Sequence, residues 1–169
     1  MKLTGSYQIN LEKQKVWEAL NDPEILQKTI PGCEEFKKNS DTEFSATATN
    51  KIGPFNASFT GDIELKDLDP PNSYKITGSG NSPVGFANGE ASVSLEDFEG
   101  GTKLTYTVEA NVGGKIVQVG SRLIDMTAKK MADIFFGKFS ELVSNQSNVL
   151  KTETVSDVRV PREKKSINK

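Results

Sequence analysis

Histidine is absent from the 169 residues of this sequence, and cysteine occurs once, at Cys33. Without histidine, the chain has no Ser-His or Cys-His pair and no imidazole-ligated metal site, which excludes most common hydrolase and metalloenzyme schemes. We predict no catalytic residue, no metal ligand and no obligatory cofactor. A single cysteine forms no internal disulfide, which fits a reducing compartment.

Long apolar runs and an excess of one charge are also missing. No stretch approaches the ~20 consecutive apolar residues of a membrane span, and the N-terminus has no apolar signal core. Lys and Arg total 21 against 23 for Asp and Glu, a net charge of -2, so no strong positive field attracts nucleic acid. The sequence predicts a cytoplasmic protein with no nucleic-acid partner.

The residues that are present predict a sheet of sequential strands. Apolar and polar residues alternate from Leu3 to Ile9, which is typical of a half-buried strand. Two short helices follow, over Lys13 to Leu20 and over Pro23 to about Thr29. From Cys33 onward, alternating segments resume and are separated by turn residues such as Asp69-Pro70-Pro71-Asn72. Sequential hairpins of this kind give an antiparallel sheet.

After Gly113-Gly114 the apolar period changes from two residues to three or four. The pattern predicts one amphipathic helix from Lys115 to about Ser144, roughly 45 Å long at 1.5 Å per residue. We therefore predict an α+β helix-grip fold: a curved antiparallel sheet wrapped around one long C-terminal helix, with two short helices after the first strand. We predict that residues 1–144 form the ligand-binding domain and that residues 145–169 are a flexible basic tail, which either attracts anionic lipid or serves as a solubilising end.

Small residues on the inward faces of the strands predict either curvature or a cavity. They are Gly5, Gly61, Gly78 and Gly80, with alanines at 46, 48, 57 and 110. Gly120 interrupts the helical stripe, which indicates close packing or deliberate space. Four residues of the helical pattern either belong to the core or line a pocket: Met126, Met131, Phe135 and Phe136. We expect ligand contacts from Phe55, Phe59, Gly61, Ile63, Tyr106, Val108, Gly120, Ile124, Met131 and Phe135.

Four segments carry a resemblance to a known family, and they occur in the expected order between about Met1 and Val143. They are NDPE at 21–24, IPGC at 30–33, GPFNASFTG at 53–61 and GGKIVQVGSRLI at 113–124. In combination they resemble the carbon monoxide dehydrogenase G-subunit family, within the START-like and polyketide-cyclase-like superfamily. The resemblance implies a helix-grip fold with an internal apolar cavity and no catalytic site.

The resemblance also implies a role as an accessory protein of molybdenum-containing carbon monoxide dehydrogenases and related hydroxylases, in membrane recruitment, electron transfer or maturation. Many members carry a hydrophobic C-terminal segment. This sequence ends without one, so we expect membrane contact to be transient and peripheral, at the inner face.

Three functions remain open from the sequence. The first is a protein that binds a hydrophobic small molecule, such as a quinone or lipid, and presents it to a membrane-associated redox enzyme. The second is a maturation or docking factor that acts through protein contacts and has an incidental cavity. The third is a cyclase-like or hydratase-like enzyme, which would have to use a buried carboxylate or one of Tyr7, Tyr74 and Tyr106.

Overall fold

The computed structural model describes residues 1–155, and for residues 145–155 only their helical backbone. The described residues form seven strands, three α-helices and one short 3-10 helix. The strands are β1 (Lys2–Ile9), β2 (Cys33–Lys38), β3 (Glu43–Ile52), β4 (Phe55–Asp69), β5 (Ser73–Ser82), β6 (Gly85–Phe98) and β7 (Gly101–Gly113). The helices are α1 (Lys13–Leu20), α2 (Pro23–Thr29), the 3-10 helix (Lys115–Val119) and α3 (Ser121–Val155).

The seven strands form one antiparallel sheet in the order β1-β7-β6-β5-β4-β3-β2. Strands β2 to β7 follow one another as hairpins, while β1 crosses the fold to pair with β7. The two edges are therefore β1 and β2. Helix α3 contacts β1 and α2, so it closes the space between the two edges. The predicted helix-grip architecture is confirmed.

Polar residues at both ends of α2 explain where this helix begins and ends. The Asp22 side chain accepts a hydrogen bond from the Glu24 backbone N–H at 2.9 Å, and Pro23 occupies the first helical turn. At the other end, Thr29 is buried, and its hydroxyl donates to the Ile25 carbonyl at 2.8 Å. Both short helices match the ranges predicted from the sequence.

The solid part of the core lies between α1, the adjoining strand ends and the middle of α3. Its buried residues include Ile9, Val16, Leu104 and Phe139, each 0% exposed. Trp17 from α1 packs edge-on against Tyr74 of β5, with ring centroids 5.1 Å apart. Burying each such side chain contributes roughly 1.5–3 kcal/mol to stability. This cluster anchors the middle of α3, and the N-terminal half of the helix covers a different space.

The long C-terminal helix differs from the prediction at both ends. It was expected from Lys115 to about Ser144, but residues 115–119 form a 3-10 helix and α3 begins at Ser121. Gly120 separates the two with a φ of 96°, a conformation that favours glycine. Helix α3 then continues to Val155, past the predicted end. The predicted tail of residues 145–169 thus begins within α3, and its residues 156–169 lie outside the described residues, so the basic tail stays a prediction.

Candidate functional site

A cavity of about 610 Å³ lies between the concave face of the sheet and the N-terminal half of α3. All seven strands contribute to its wall, together with α1, α2, the 3-10 helix and α3. The wall is almost entirely hydrocarbon, and among the described residues it contains no charged side chain. Its lining residues are Met1, Leu3, Leu20, Leu26, Ile30, Pro31, Phe36, Phe44, Ala48, Asn50, Ile52, Phe59, Ile63, Leu65, Tyr74, Ile76, Ala87, Ala91, Val93, Leu104, Tyr106, Val108, Ala110, Val112, Ile116, Ile124, Thr127, Ala128, Met131, Ala132, Phe135 and Phe136.

The alternation of β7 explains why one strand supplies so much of this wall. Leu104, Tyr106, Val108, Ala110 and Val112 all face the cavity, because successive side chains of a strand point to opposite faces. Their outward neighbours are polar or charged. On α3, the lining positions recur at steps of three and four, as one face of a helix requires.

Seven of the ten predicted ligand contacts lie in the cavity wall. They come from β4, β7 and α3, so the structure brings together residues that are far apart in the sequence. That they bind a ligand stays a prediction. The seven are Phe59, Ile63, Tyr106, Val108, Ile124, Met131 and Phe135.

The other three predicted contacts, Phe55, Gly61 and Gly120, lie outside the wall. Phe55 begins β4 and pairs with Ile52 across the β3–β4 turn. Gly120 is exposed at the junction before α3, so it creates no space for a ligand between the helix and the sheet. Met126, a further pocket candidate, is 58% exposed.

Gly61 marks a close approach of two strands, which corrects its predicted role. A Cβ atom at this position would lie 2.0 Å from the Ser79 carbonyl oxygen and 2.7 Å from the Gly80 Cα atom. The glycine therefore permits β4 and β5 to bend together. A side chain here would push β5 away before it filled any cavity, so a Gly61→Leu variant does not probe the pocket.

Gly5 also makes room for protein atoms, in this case for the ring of Tyr106, its partner in the β1–β7 register. A Cβ atom on Gly5 would lie 2.7 Å from the Tyr106 hydroxyl oxygen. The Tyr106 ring also stacks against Phe136 of α3, with centroids 5.2 Å apart. The ring is thus held between the edge strand and the helix.

The hydroxyl of Tyr106 is buried, and among the described residues it has no hydrogen-bond partner. The whole residue is only 4% exposed. An unpaired buried hydroxyl costs about 1–3 kcal/mol, so most such groups in folded proteins are paired. Burial raises the pKa of Tyr106, and the hydroxyl therefore keeps its proton at neutral pH. Tyr106 lines the cavity, but its hydroxyl oxygen is enclosed by protein atoms.

A polar cluster of Tyr7, Lys129 and Asp133 joins the β1 edge to α3 near this hydroxyl. Tyr7 donates to Asp133 Oδ1, and Lys129 Nζ lies 3.1 Å from the same oxygen. These hydrogen bonds lower the pKa of Asp133, while burial and the Asp133 hydrogen bond raise the pKa of Tyr7. At neutral pH the carboxylate is ionised and the phenol is protonated. Both Lys129 and Asp133 are exposed, so the cluster lies outside the cavity wall.

The sequence did not identify this cluster or several lining residues of the opposite wall. Tyr7 and Asp133 are 126 positions apart, and they meet only because α3 packs against β1 in the folded chain. Leu26 and Ile30 enter the wall because α2 packs against the edge strand β2, while Phe36 of β2 and Phe44 of β3 line it from the sheet itself. Their apolar character predicted burial but not which space they face.

Two other kinds of site have no candidate in the part of the chain that the structure describes. Residues 1–144 bring together no group of three Cys, Asp or Glu residues able to hold a metal ion. No helix within the described residues is both long enough and apolar enough to cross a membrane.

Comparison with known proteins identifies a family and a fold. Residues 5–144 match the family model of the carbon monoxide dehydrogenase G subunit (CoxG). A conserved protein from Geobacillus kaustophilus is 31% identical and superposes with a TM-score of 0.81, covering 86% of this chain and 96% of that one. A comparison with curated proteins gives no match.

More distant structures share the fold. A protein from Mycobacterium smegmatis is 17% identical, with a TM-score of 0.65 over 86% of this chain and 92% of that one. The Zhui aromatase/cyclase from a Streptomyces species is 11% identical, with a TM-score of 0.62 over 87% and 95%. At these identities the likeness extends to the architecture alone.

Proposed function

The chain belongs to the carbon monoxide dehydrogenase G-subunit (CoxG) family, within the START-like and polyketide-cyclase-like superfamily, and from this membership we propose a non-catalytic accessory protein that binds a hydrophobic small molecule. The ligand we propose is an isoprenoid quinone or a lipid. The protein would present it to a molybdenum-containing carbon monoxide dehydrogenase or a related hydroxylase at the inner face of the membrane.

The observation that carries this proposal is the cavity of about 610 Å³ with a hydrocarbon wall. Its volume falls within the range of about 300–1,000 Å³ that is usual for small-molecule sites. Each CH₂ group kept out of water contributes about 0.8 kcal/mol to the capture of a ligand. An isoprenoid chain has many such groups, so its contacts with this wall offset the contacts that it loses on leaving the bilayer.

Chemistry in the cavity would require an acid or base, and the wall offers few candidates. Tyr74 and Tyr106 are the ionisable side chains among the described lining residues, and burial raises the pKa of both. Neither faces a lining carboxylate or amine that could accept its proton. The cavity therefore favours binding over the cyclase-like or hydratase-like alternative.

A docking or maturation factor is the remaining alternative, and native mass spectrometry of protein purified from its own host separates it from a ligand carrier. We expect a chain that carries one apolar molecule, a quinone or lipid, released on denaturation. A ligand-free chain recovered in a stoichiometric complex with the dehydrogenase would contradict ligand carriage and support the docking role.

Delivery to a membrane needs a surface that lipid can contact, and one end of the fold offers it. This end, the tip, comprises residues 50–54, 81–86 and 114–126. The Ile116 N–H donates to the Val84 carbonyl at 2.8 Å, and Gly53 approaches Val119, so the three segments lie together.

The tip combines exposed apolar side chains with cationic ones. Phe86, Val117 and Met126 are 42%, 45% and 58% exposed, and each is adjacent in sequence to a cavity-lining residue. The same segments carry three exposed cations and one carboxylate: Lys51, Lys115, Arg122 and Asp125. Cations near an anionic surface contribute about 1 kcal/mol each. We propose that the tip contacts the anionic bilayer beside the cavity.

The double variant Val117→Asp/Met126→Asp is expected to weaken binding to vesicles of phosphatidylglycerol and phosphatidylcholine by at least about tenfold, because it removes apolar area and adds repulsion. Co-sedimentation measures the effect. The matched control is Leu68→Asp/Phe98→Asp, which changes two residues of similar exposure, 41% and 44%, at the opposite end of the sheet. An equal loss of vesicle binding in both double variants, or no vesicle binding by the unchanged chain, would refute the proposal that the tip contacts the bilayer.

A further inference from the structure

The N-terminal half of α3, residues 121–136, covers the cavity and has a glycine at each end. Gly120 breaks the helical backbone before Ser121, and Gly137 follows Phe136 inside the helix. Gly137 is exposed, and a Cβ atom there would meet no neighbouring atom within 4 Å, so packing does not require glycine at this position. Glycine in a helix interior lowers helix stability, which makes this point of α3 easier to bend.

The two parts of α3 have different supports. After Gly137, the side chains of Phe139 and Val143 are 0% and 2% exposed in the solid core, so this part of the helix is fixed. Within residues 121–136, Phe136 is the one buried residue. The helix is therefore anchored on one side of Gly137 and lies over the cavity on the other.

A polar contact holds this covering part of α3 against the edge strand β1. Tyr7 donates to Asp133 Oδ1, and Lys129 Nζ lies 3.1 Å from the same oxygen. The Tyr7 ring also stacks on Phe136, with centroids 4.6 Å apart. Within residues 1–144, the bond from Tyr7 to Asp133 is the only side-chain hydrogen bond between α3 and the sheet.

We propose that residues 121–136 form a lid that bends outward at Gly137 to admit a ligand, and that the hydrogen bond from Tyr7 to Asp133 is the latch that holds the lid shut. This inference rests on the proposed function and adds the route by which a ligand reaches the cavity. A hydrogen bond to an ionised carboxylate is stronger than one between neutral groups, so the latch favours the closed lid.

The free end of the lid lies in the tip. A Cβ atom on Gly53 would contact the side chains of Val119 and Leu123, so the β3–β4 turn packs against the start of α3. Opening the lid breaks this contact together with the latch. The lid therefore opens on the side of the molecule that we propose contacts the bilayer.

A disulfide at the free end tests whether the lid must move. A Cβ atom on Gly53 would lie 3.6 Å from the Val119 Cβ atom, within the range of about 3.5–4.5 Å that a disulfide needs. Gly53→Cys/Val119→Cys is combined with Cys33→Ser, so that one pair alone can form. Stopped-flow fluorescence should show the oxidised chain taking up N-phenyl-1-naphthylamine at least about tenfold more slowly than the same chain after reduction.

Tyr7→Phe tests the latch, because it removes the hydrogen bond and keeps the ring that stacks on Phe136. We expect uptake about 3- to 10-fold faster, the effect of losing one hydrogen bond, and faster amide hydrogen exchange in residues 121–136 but not in β4 to β7. Lys2→Met is the control, since it removes an ion pair between the same strand and Glu109 of β7, at 3.6 Å, without changing a contact to α3. Its uptake rate should equal that of the unchanged chain.

Gly137→Ala tests the hinge. Alanine stabilises the helix, so uptake should be about 3- to 5-fold slower, whereas Lys138→Ala at the next exposed position should leave it unchanged. Equal uptake by the oxidised and reduced chains, or unchanged uptake in Tyr7→Phe or Gly137→Ala, would overturn the hinged lid while ligand binding stands. If the unchanged chain does not bind the fluorophore, the proposed function itself fails, and the lid with it.

Discussion

Gly61→Ala is expected to lower the free energy of unfolding by about 3 kcal/mol or more, the range of severe backbone and packing disruptions. The added methyl group would lie 2.0 Å from the Ser79 carbonyl oxygen and 2.7 Å from the Gly80 Cα atom. Both are backbone atoms, so the clash is relieved only by separating β4 from β5. Urea unfolding followed by far-ultraviolet circular dichroism measures the change.

Gly80→Ala is the matched control, since Gly80 is the direct register partner of Gly61. Its added methyl group would meet Phe59 Cβ at 3.7 Å, an ordinary van der Waals contact. We expect a change of less than about 1 kcal/mol for this variant. Similar losses for both alanines would show that the close approach at Gly61 does not shape the sheet.

Ala128→Phe is expected to reduce uptake of N-phenyl-1-naphthylamine by at least about tenfold, a change of about 1.4 kcal/mol in binding free energy. Ala128 lies on α3 and lines the cavity, so the new ring occupies the space that a ligand would use. Overpacking is costly where a core is already full, but here the ring enters an open volume. The variant should therefore unfold at the same temperature as the unchanged chain or higher.

Lys130→Phe provides the comparison for this variant. It introduces the same side chain on the same helix at an exposed position outside the cavity wall. Uptake should be unchanged, because the ring points into solvent. An equal reduction in Lys130→Phe would indicate that a phenylalanine anywhere on α3 disturbs the assay or the helix, and that the cavity is not the binding site.

Alternation of polarity was enough to predict the strands, because almost every strand has one face toward the core or the cavity and one toward solvent. In β4, Phe59, Ile63 and Leu65 line the cavity, and their neighbours Asp62 and Glu64 are exposed. A two-residue period follows directly from that difference in environment. Tyr106 and Val108 of β7 share one wall for the same reason.

The break before α3 could not be found in the same way. The spacing of three and four residues continues through Val117, Gly120 and Ile124, so Gly120 was interpreted as a gap within one helix and not as the boundary between two. The break lies at Gly120, whose φ of 96° is incompatible with an α-helix and whose N–H donates to the Val117 carbonyl at 3.0 Å. A periodic pattern in the sequence indicates which face of a helix is buried. It does not indicate where a backbone N–H bonds a carbonyl outside the regular α-helical pattern.

Inward-facing glycines show why the site was only partly predicted. The space predicted opposite Gly5 is filled by the ring of Tyr106 and that opposite Gly61 by the backbone of β5, so only the bending alternative fits Gly61. Which atoms fill the space opposite a glycine depends on strand register and curvature. The burial of the Tyr106 hydroxyl likewise depends on how its ring, Gly5 and Phe136 come together in the fold.

The central claim is that the space between the sheet and α3 binds an apolar small molecule, and one fluorescence titration tests it most directly. The chain without substitutions, Ala128→Phe and Lys130→Phe are each titrated with N-phenyl-1-naphthylamine. We predict saturable binding of one molecule per chain, lost or at least about tenfold weaker in Ala128→Phe and unchanged in Lys130→Phe. No saturable binding by the unsubstituted chain, or equal binding by all three, would contradict the claim.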